Sequence, residues 1–141
     1  MPLVRISLMQ TTAHRAQEIG RCVYDAMRET IGIPEGDNFQ VINHCGVGEL
    51  VYDPTFLGIE RTNEFMIIEI TLGRGRETAV KQALFARITE LLEARCQVRP
   101  DDVMIGLNEV GLDDMSLGQG RAQFVENPPA RLLSLSDNGS S

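Results

Sequence analysis

The sequence predicts an α/β fold of the two-layer α+β kind, with tandem β-α-β units forming a four-stranded sheet and two helices on one face. Three observations predict it. The segment RISL at 5–8 is echoed by EITL at 69–72, so the chain repeats itself with an offset of about 64 to 66 residues. Each copy opens a run of strand, helix and second strand, over roughly 3–45 and 65–110, and a crossover helix between two strands makes them parallel. The helical segments are apolar along one stripe only, so both have a single layer to cover.

Pro2 to Leu8 (PLVRISL) reads as a strand at the start of the chain. Thr11 or Thr12 caps a helix from near Ala13, whose buried stripe is Ala16, Ile19, Val23, Met27 and Ile31. Gly32 ends that helix and Pro34 keeps it from resuming. Phe39 to Cys45 (FQVINHC) is the second strand. An irregular connection follows over 46–64, punctuated by Gly46, Gly48, Pro54 and Gly58, with Phe56 and Leu57 expected to tuck against the body. Met66, Ile67, Ile68, Ile70 and Thr71 make a near-continuous apolar run, the pattern of a strand buried on both faces. Gly73 and Gly75 turn the chain into a second helix beginning near Glu77, with Val80, Leu84, Ile88, Leu91 and Leu92 inward. Residues 97–100 close it, and Val103 to Val110 is the last long strand. In GLDDMSLGQGRAQF (111–124) the glycines predict a tight excursion in the form of a small hairpin. One domain is expected over 1–125, with a partly flexible C-terminal extension over 126–141 whose Leu132, Leu133 and Leu135 are placed to dock on a neighbour.

A formal net charge of −7 argues against nucleic acid or an anionic membrane surface as partner. Cys22, Cys45 and Cys96 are widely spaced and make no CxxC or Cys/His cluster, so neither a disulfide framework nor a metal site is expected. Cys22 and Cys96 read as buried thiols. His14 and His44 lack companions at metal or triad spacing, and the GQG at 118–120 lacks the spacing and lysine of a phosphate loop. With neither a leader nor an apolar run of membrane length, a cytoplasmic protein without a membrane partner is expected. The second face of the sheet has no helix to cover it and calls for another subunit; a ring of three is one closed solution.

The chemistry concentrates where the central strand becomes the second helix. Arg74 and Arg76 stand one residue apart there, and two rigid guanidinium forks suit a carboxylate. Solvated loop arginines are the plain alternative.

Taken together, Met1-Pro2 leading straight into a strand, GIPEGDNFQ, LGRGR, PDDVMIGLNE and DDMSLGQGRAQF resemble the tautomerase superfamily, and within it the malonate semialdehyde decarboxylase family. The resemblance spans about 125 residues and is strongest in the last two blocks. It implies a homotrimeric, cofactor-independent enzyme with no metal, acting on a small carboxylate substrate. It further implies Pro2, Asp37, Arg74 and Arg76 as catalytic residues. Met115 and Leu117 stand where that family carries pocket aromatics, Phe124 keeps one, and these three are the expected pocket wall. Pro2 can act as nucleophile, base or acid only once Met1 is removed, because a peptide amide does none of these. The two arginines would lower the pKa of that amine and Asp37 would oppose them.

The reaction implied is decarboxylation of a small 3-oxo acid resembling malonate semialdehyde, with a hydratase side activity in which Asp37 orients water. Pro2 would form an iminium or protonate the carbonyl, while the arginines hold the carboxylate. Two alternatives stand beside it. One is an enol–keto tautomerase of a 2-oxo acid with Pro2 as general base. The other is a catalytically silent trimeric protein that binds small acids.

Overall fold

A computed structural model of the chain describes residues 2–131. Four strands, β1 (Leu3–Met9), β2 (Phe39–Cys45), β3 (Met66–Gly73) and β4 (Val103–Val110), form one sheet in the order β2-β1-β3-β4. Strand β1 runs parallel to β2, β3 runs parallel to β4, and β1 meets β3 antiparallel at the centre. This is the arrangement that two side-by-side β-α-β units require. The crossover helices are α1 (Ala13–Thr30) and α2 (Thr78–Cys96).

The helix ends follow from their caps. Thr12 is the residue that opens α1, its hydroxyl accepting from the Arg15 N–H at 3.1 Å. The Ile31 N–H closes the helix on the Met27 carbonyl at 3.0 Å, and Gly32, at φ +67°, takes the left-handed turn that follows. At the end of α2 that left-handed position falls to Gln97 (φ 55°), with the Val98 N–H reaching back to the Leu92 carbonyl at 3.2 Å.

Val4, Ile6 and Leu8 of β1 and Met66, Ile68, Ile70 and Leu72 of β3 point to the helix side, where Ile19, Val23, Met27, Leu84, Ile88 and Leu92 bury them. Cys22 and Cys96 lie inside this layer with their sulfurs 3.8 Å apart, free of any disulfide. Burial, reinforced by Cys96, pushes the Cys22 thiol up to about 12. On the outer side of the helix pair, Arg95 of α2 ties Glu18 and Asp25 of α1 at 2.7 and 2.6 Å.

Three expectations are corrected. Within the protomer β3 is buried on one face only. Its other face shows Ile67 and Thr71 half-buried and Glu69 exposed, and the open side of the sheet also displays Leu3, Phe39, Val41 and Met104. Phe56 and Leu57 do not tuck in; they stand 63% and 79% exposed in a short 3-10 turn. The connection is anchored instead by Phe65, buried and packed on Tyr52 with ring centroids 5.1 Å apart. It is also tied by Asp102, which accepts from the Thr62 N–H and Thr62 hydroxyl, both at 2.7 Å. Finally, 111–124 forms no hairpin. A 3-10 turn over Leu112–Asp114 leads to a loop clamped by Gln123, whose side chain accepts from the Leu117 N–H and donates to the Gly118 carbonyl. The short helix α3 (Gln123–Glu126) follows. Polar side chains here satisfy the backbone locally, so no strand pairing is needed. Leu132, Leu133 and Leu135, and Met1, lie outside the described residues.

Candidate active site

The topology brings the sequence-predicted residues to one end of the sheet. Parallel β1 and β2 start there, and β3 and β4, opposite in direction to β1, finish there. Leu3 pairs with Thr71, so continuing the antiparallel register by one residue sets Pro2 beside Leu72. Asp37 precedes β2 by two residues, and Arg74 and Arg76 follow the last residue of β3.

The side chains divide between two neighbouring pockets. One, of about 370 Å³, gathers Asp37, Arg76, Phe124 and Arg131 against an apolar wall that includes Ile33, Leu72 and Leu112. The other, of about 180 Å³, gathers Pro2 with Leu3, Phe39, Met115, Ser116 and Leu117. Pro2 is buried. Phe124 is therefore separated from Met115 and Leu117, the residues grouped with it from sequence. A cleft of about 280 Å³ at the far end of the sheet, lined by Thr11, Arg15, Asn63 and Glu64 among others, holds none of these residues.

The arginine pair is also divided. Arg74 continues the sheet through its backbone, donating to the Val110 carbonyl at 2.9 Å, and its side chain is exposed and lines neither pocket. Arg76 turns back into the larger pocket, where its Nη1 donates to the Gly73 carbonyl at 3.0 Å. Arg131 fills the second cationic place there. Its Nη1 donates to the Arg74 carbonyl at 3.1 Å and its Nη2 to the Gly73 carbonyl at a long 3.5 Å. Burial, and secondly the charge of Arg131, draws the Arg76 guanidinium down to about 10, and burial also lowers Arg131. Both stay charged at neutral pH. Sequence reasoning missed Arg131 because no local pattern marks it, and its partners lie 57 and 58 residues away.

Asp37 is half-buried at a turn closed by its own N–H on the Pro34 carbonyl at 3.2 Å. Among the described residues no group of three or more His, Cys, Asp or Glu stands close enough together to hold a metal ion. Nor does any described helix have the length and apolarity to cross a membrane.

A sequence-family model described as a tautomerase enzyme matches residues 37–118, more than half the chain. A probable tautomerase, YusQ, of Bacillus subtilis (strain 168) is 39% identical over 127 residues, covering 89% of this chain and all of that protein. The chain belongs to the tautomerase family. Among solved structures, this tautomerase-family chain is similar to FG41 malonate semialdehyde decarboxylase inhibited by 3-bromopropiolate. The two are 33% identical with a TM-score of 0.84, over 91% of this chain and 98% of that one. It is also similar to a second malonate semialdehyde decarboxylase, studied for decarboxylase and hydratase activities, at 28% identity and the same TM-score, over 91% and 99% of the two chains. The two-layer fold with its mixed four-stranded sheet is thus that of the family. Membership carries tautomerase-superfamily catalysis on a small organic acid.

Proposed function

We propose that this tautomerase-family enzyme interconverts the enol and keto forms of a small 2-oxo acid, with the amine of Pro2 as general base. The observation that carries the reading is the buried position of Pro2 against Leu3, Phe39, Met115 and Leu117. Apolar surroundings disfavour a charged ammonium, which suits an amine freed by loss of Met1 to the role of general base. The amine accepts the proton of the enol hydroxyl, the carbonyl forms, and a proton returns to the adjacent carbon. Arg76 holds the carboxylate, Met115 and Leu117 wall the pocket of Pro2, and Phe124 walls the pocket of Arg76. The similarity to a probable tautomerase, over all of that protein and 89% of this chain, supports the same choice. Neither the reaction nor these roles calls for a metal or organic cofactor.

The second reading is decarboxylation of a 3-oxo acid such as malonate semialdehyde. It is favoured by the similarity to two malonate semialdehyde decarboxylases and by Asp37 sharing a pocket with Arg76. There the electrons of the breaking C–C bond flow into a carbonyl that Pro2 protonates or converts to an iminium, and Asp37 orients water for a hydratase side reaction. Parallel assays separate the two. Tautomerisation predicts that the enol of phenylpyruvate is the better substrate and that Asp37→Asn leaves its turnover nearly intact. Faster loss of CO₂ from malonate semialdehyde, abolished by Asp37→Asn, would overturn that choice in favour of decarboxylation. Turnover of neither substrate by a chain with free Pro2 would leave the binding-protein reading.

A further inference from the structure

Cys22 and Cys96 have no part in the reaction set out above, yet the fold places their thiols against each other. Cys22 stands in the middle of α1 and is wholly buried, while Cys96 is the last residue of α2 and 5% exposed. The Cys22 thiol donates to the Leu91 carbonyl at 3.7 Å, and the Cys96 sulfur lies 3.8 Å from that of Cys22. The sulfurs touch across the helix pair, so a bond between them needs only their closing to about 2.05 Å. Cys45, half-buried at the end of β2, has the Asn43 carbonyl as its neighbour instead. Buried thiols meet a reagent through a local opening, and the last turn of α2 is built for one. It ends on Gln97 at φ 55°, a costly conformation for a residue with a Cβ. What holds it shut is Arg95, paired with Glu18 and Asp25 of α1 at 2.7 and 2.6 Å, and the burial of Val98.

We propose that Cys22 and Cys96 form a reversible, peroxide-driven disulfide that staples α1 to the end of α2. Opening of the last turn exposes Cys96, whose sulfur attacks one oxygen of hydrogen peroxide. An S–O bond forms, the O–O bond breaks, and the leaving hydroxide takes the thiol proton as water, so that Cys96 becomes a sulfenic acid. On reclosure the Cys22 sulfur attacks that of Cys96. The S–S bond forms, the S–O bond breaks, and the hydroxyl departs with the Cys22 proton as a second water. Two thiols are oxidised and one peroxide is reduced. Burial first, and Cys96 second, keep the Cys22 thiol protonated, whereas the charge of Arg95 favours the thiolate. Oxidation of Cys96 removes the second of these causes, which makes Cys22 the resolving partner and Cys96 the one that reacts first. The bond joins residues 74 apart in the chain and so restricts the unfolded state.

The test treats the full chain with hydrogen peroxide, blocks the remaining thiols and maps the peptides without reduction. A crosslink between Cys22 and Cys96 is expected, in a chain lighter by two hydrogens, and dithiothreitol should reverse it. The crosslinked chain should unfold at a higher urea midpoint than the reduced one. Cys45→Ser should leave the crosslink unchanged. Asp25→Asn, which removes one anchor of Arg95, should speed its formation several-fold. A crosslink from either residue to Cys45, Cys96 carried to sulfinic acid with no crosslink, or oxidation confined to Cys45 would overturn the proposal. So would a crosslinked chain that unfolds no later in urea than the reduced one.

Discussion

Asp102 carries a carboxylate with no exposure to solvent. It is tolerated because Thr62 supplies a backbone and a hydroxyl donor, both at 2.7 Å, with Arg99 at 3.8 Å. Asp102→Ala removes the acceptor and leaves the Thr62 N–H without its partner, so a loss of about 2–3 kcal/mol is expected in urea unfolding, with an unchanged denaturant slope. Asp102→Asn keeps one acceptor oxygen and should lose less. Side chains such as Asp102 and Arg131 were invisible in the sequence, since each acts on backbone 40 or more residues away. Pro2 and Asp37 entered through the family resemblance and Arg76 through a Gly-flanked strand end; Asp37 and Arg76 share one pocket while Pro2 lines another. Arg74 and Arg76 looked equivalent in LGRGR. Backbone pairing of Arg74 with Val110 sends one outward, while the other folds back on Gly73.

At the scale of elements, periodicity did most of the work. Strands β2 and β4 occupy the same residues that alternation and apolar runs predicted, Phe39–Cys45 and Val103–Val110, and α1 begins at Ala13. Irregular segments were legible only as irregular. Phe56 and Leu57 are apolar, and apolarity alone suggested burial; Asp53 instead caps their turn, accepting from the Thr55 and Phe56 N–H groups at 2.9 and 2.8 Å. Strain at an element end yields a further prediction. Gln97 holds φ 55° at the end of α2, a conformation costly for a residue with a Cβ. Gln97→Gly should stabilise the protein by about 0.5–1 kcal/mol, read as a higher urea midpoint. No gain in midpoint would mean that the Gln97 side chain offsets its backbone cost.

For the whole molecule, the two helices cover one face of the sheet and leave Leu3, Phe39, Val41 and Met104 between 41% and 57% exposed on the other. A patch of this kind on a stable protein is expected to meet further copies of the chain, and we propose the homotrimer implied by the family resemblance as the assembly. Val41→Glu with Met104→Glu should dissociate it to protomers in sedimentation velocity, and a wild type sedimenting as a monomer would contradict it. The same geometry explains why the fold was readable and the site only partly so. A repeat of strand, helix and strand defines the sheet and the end at which its strands gather. Which side chains face one another across that end depends on loops that the repeat does not encode. In the proposed reaction the amine of Pro2 performs the proton transfer. The most direct measurement is kcat/KM for the enol of phenylpyruvate, comparing Pro2→Ala with wild type, both verified by intact mass to lack Met1. A loss of about a hundredfold or more is predicted, and equal rates would contradict it.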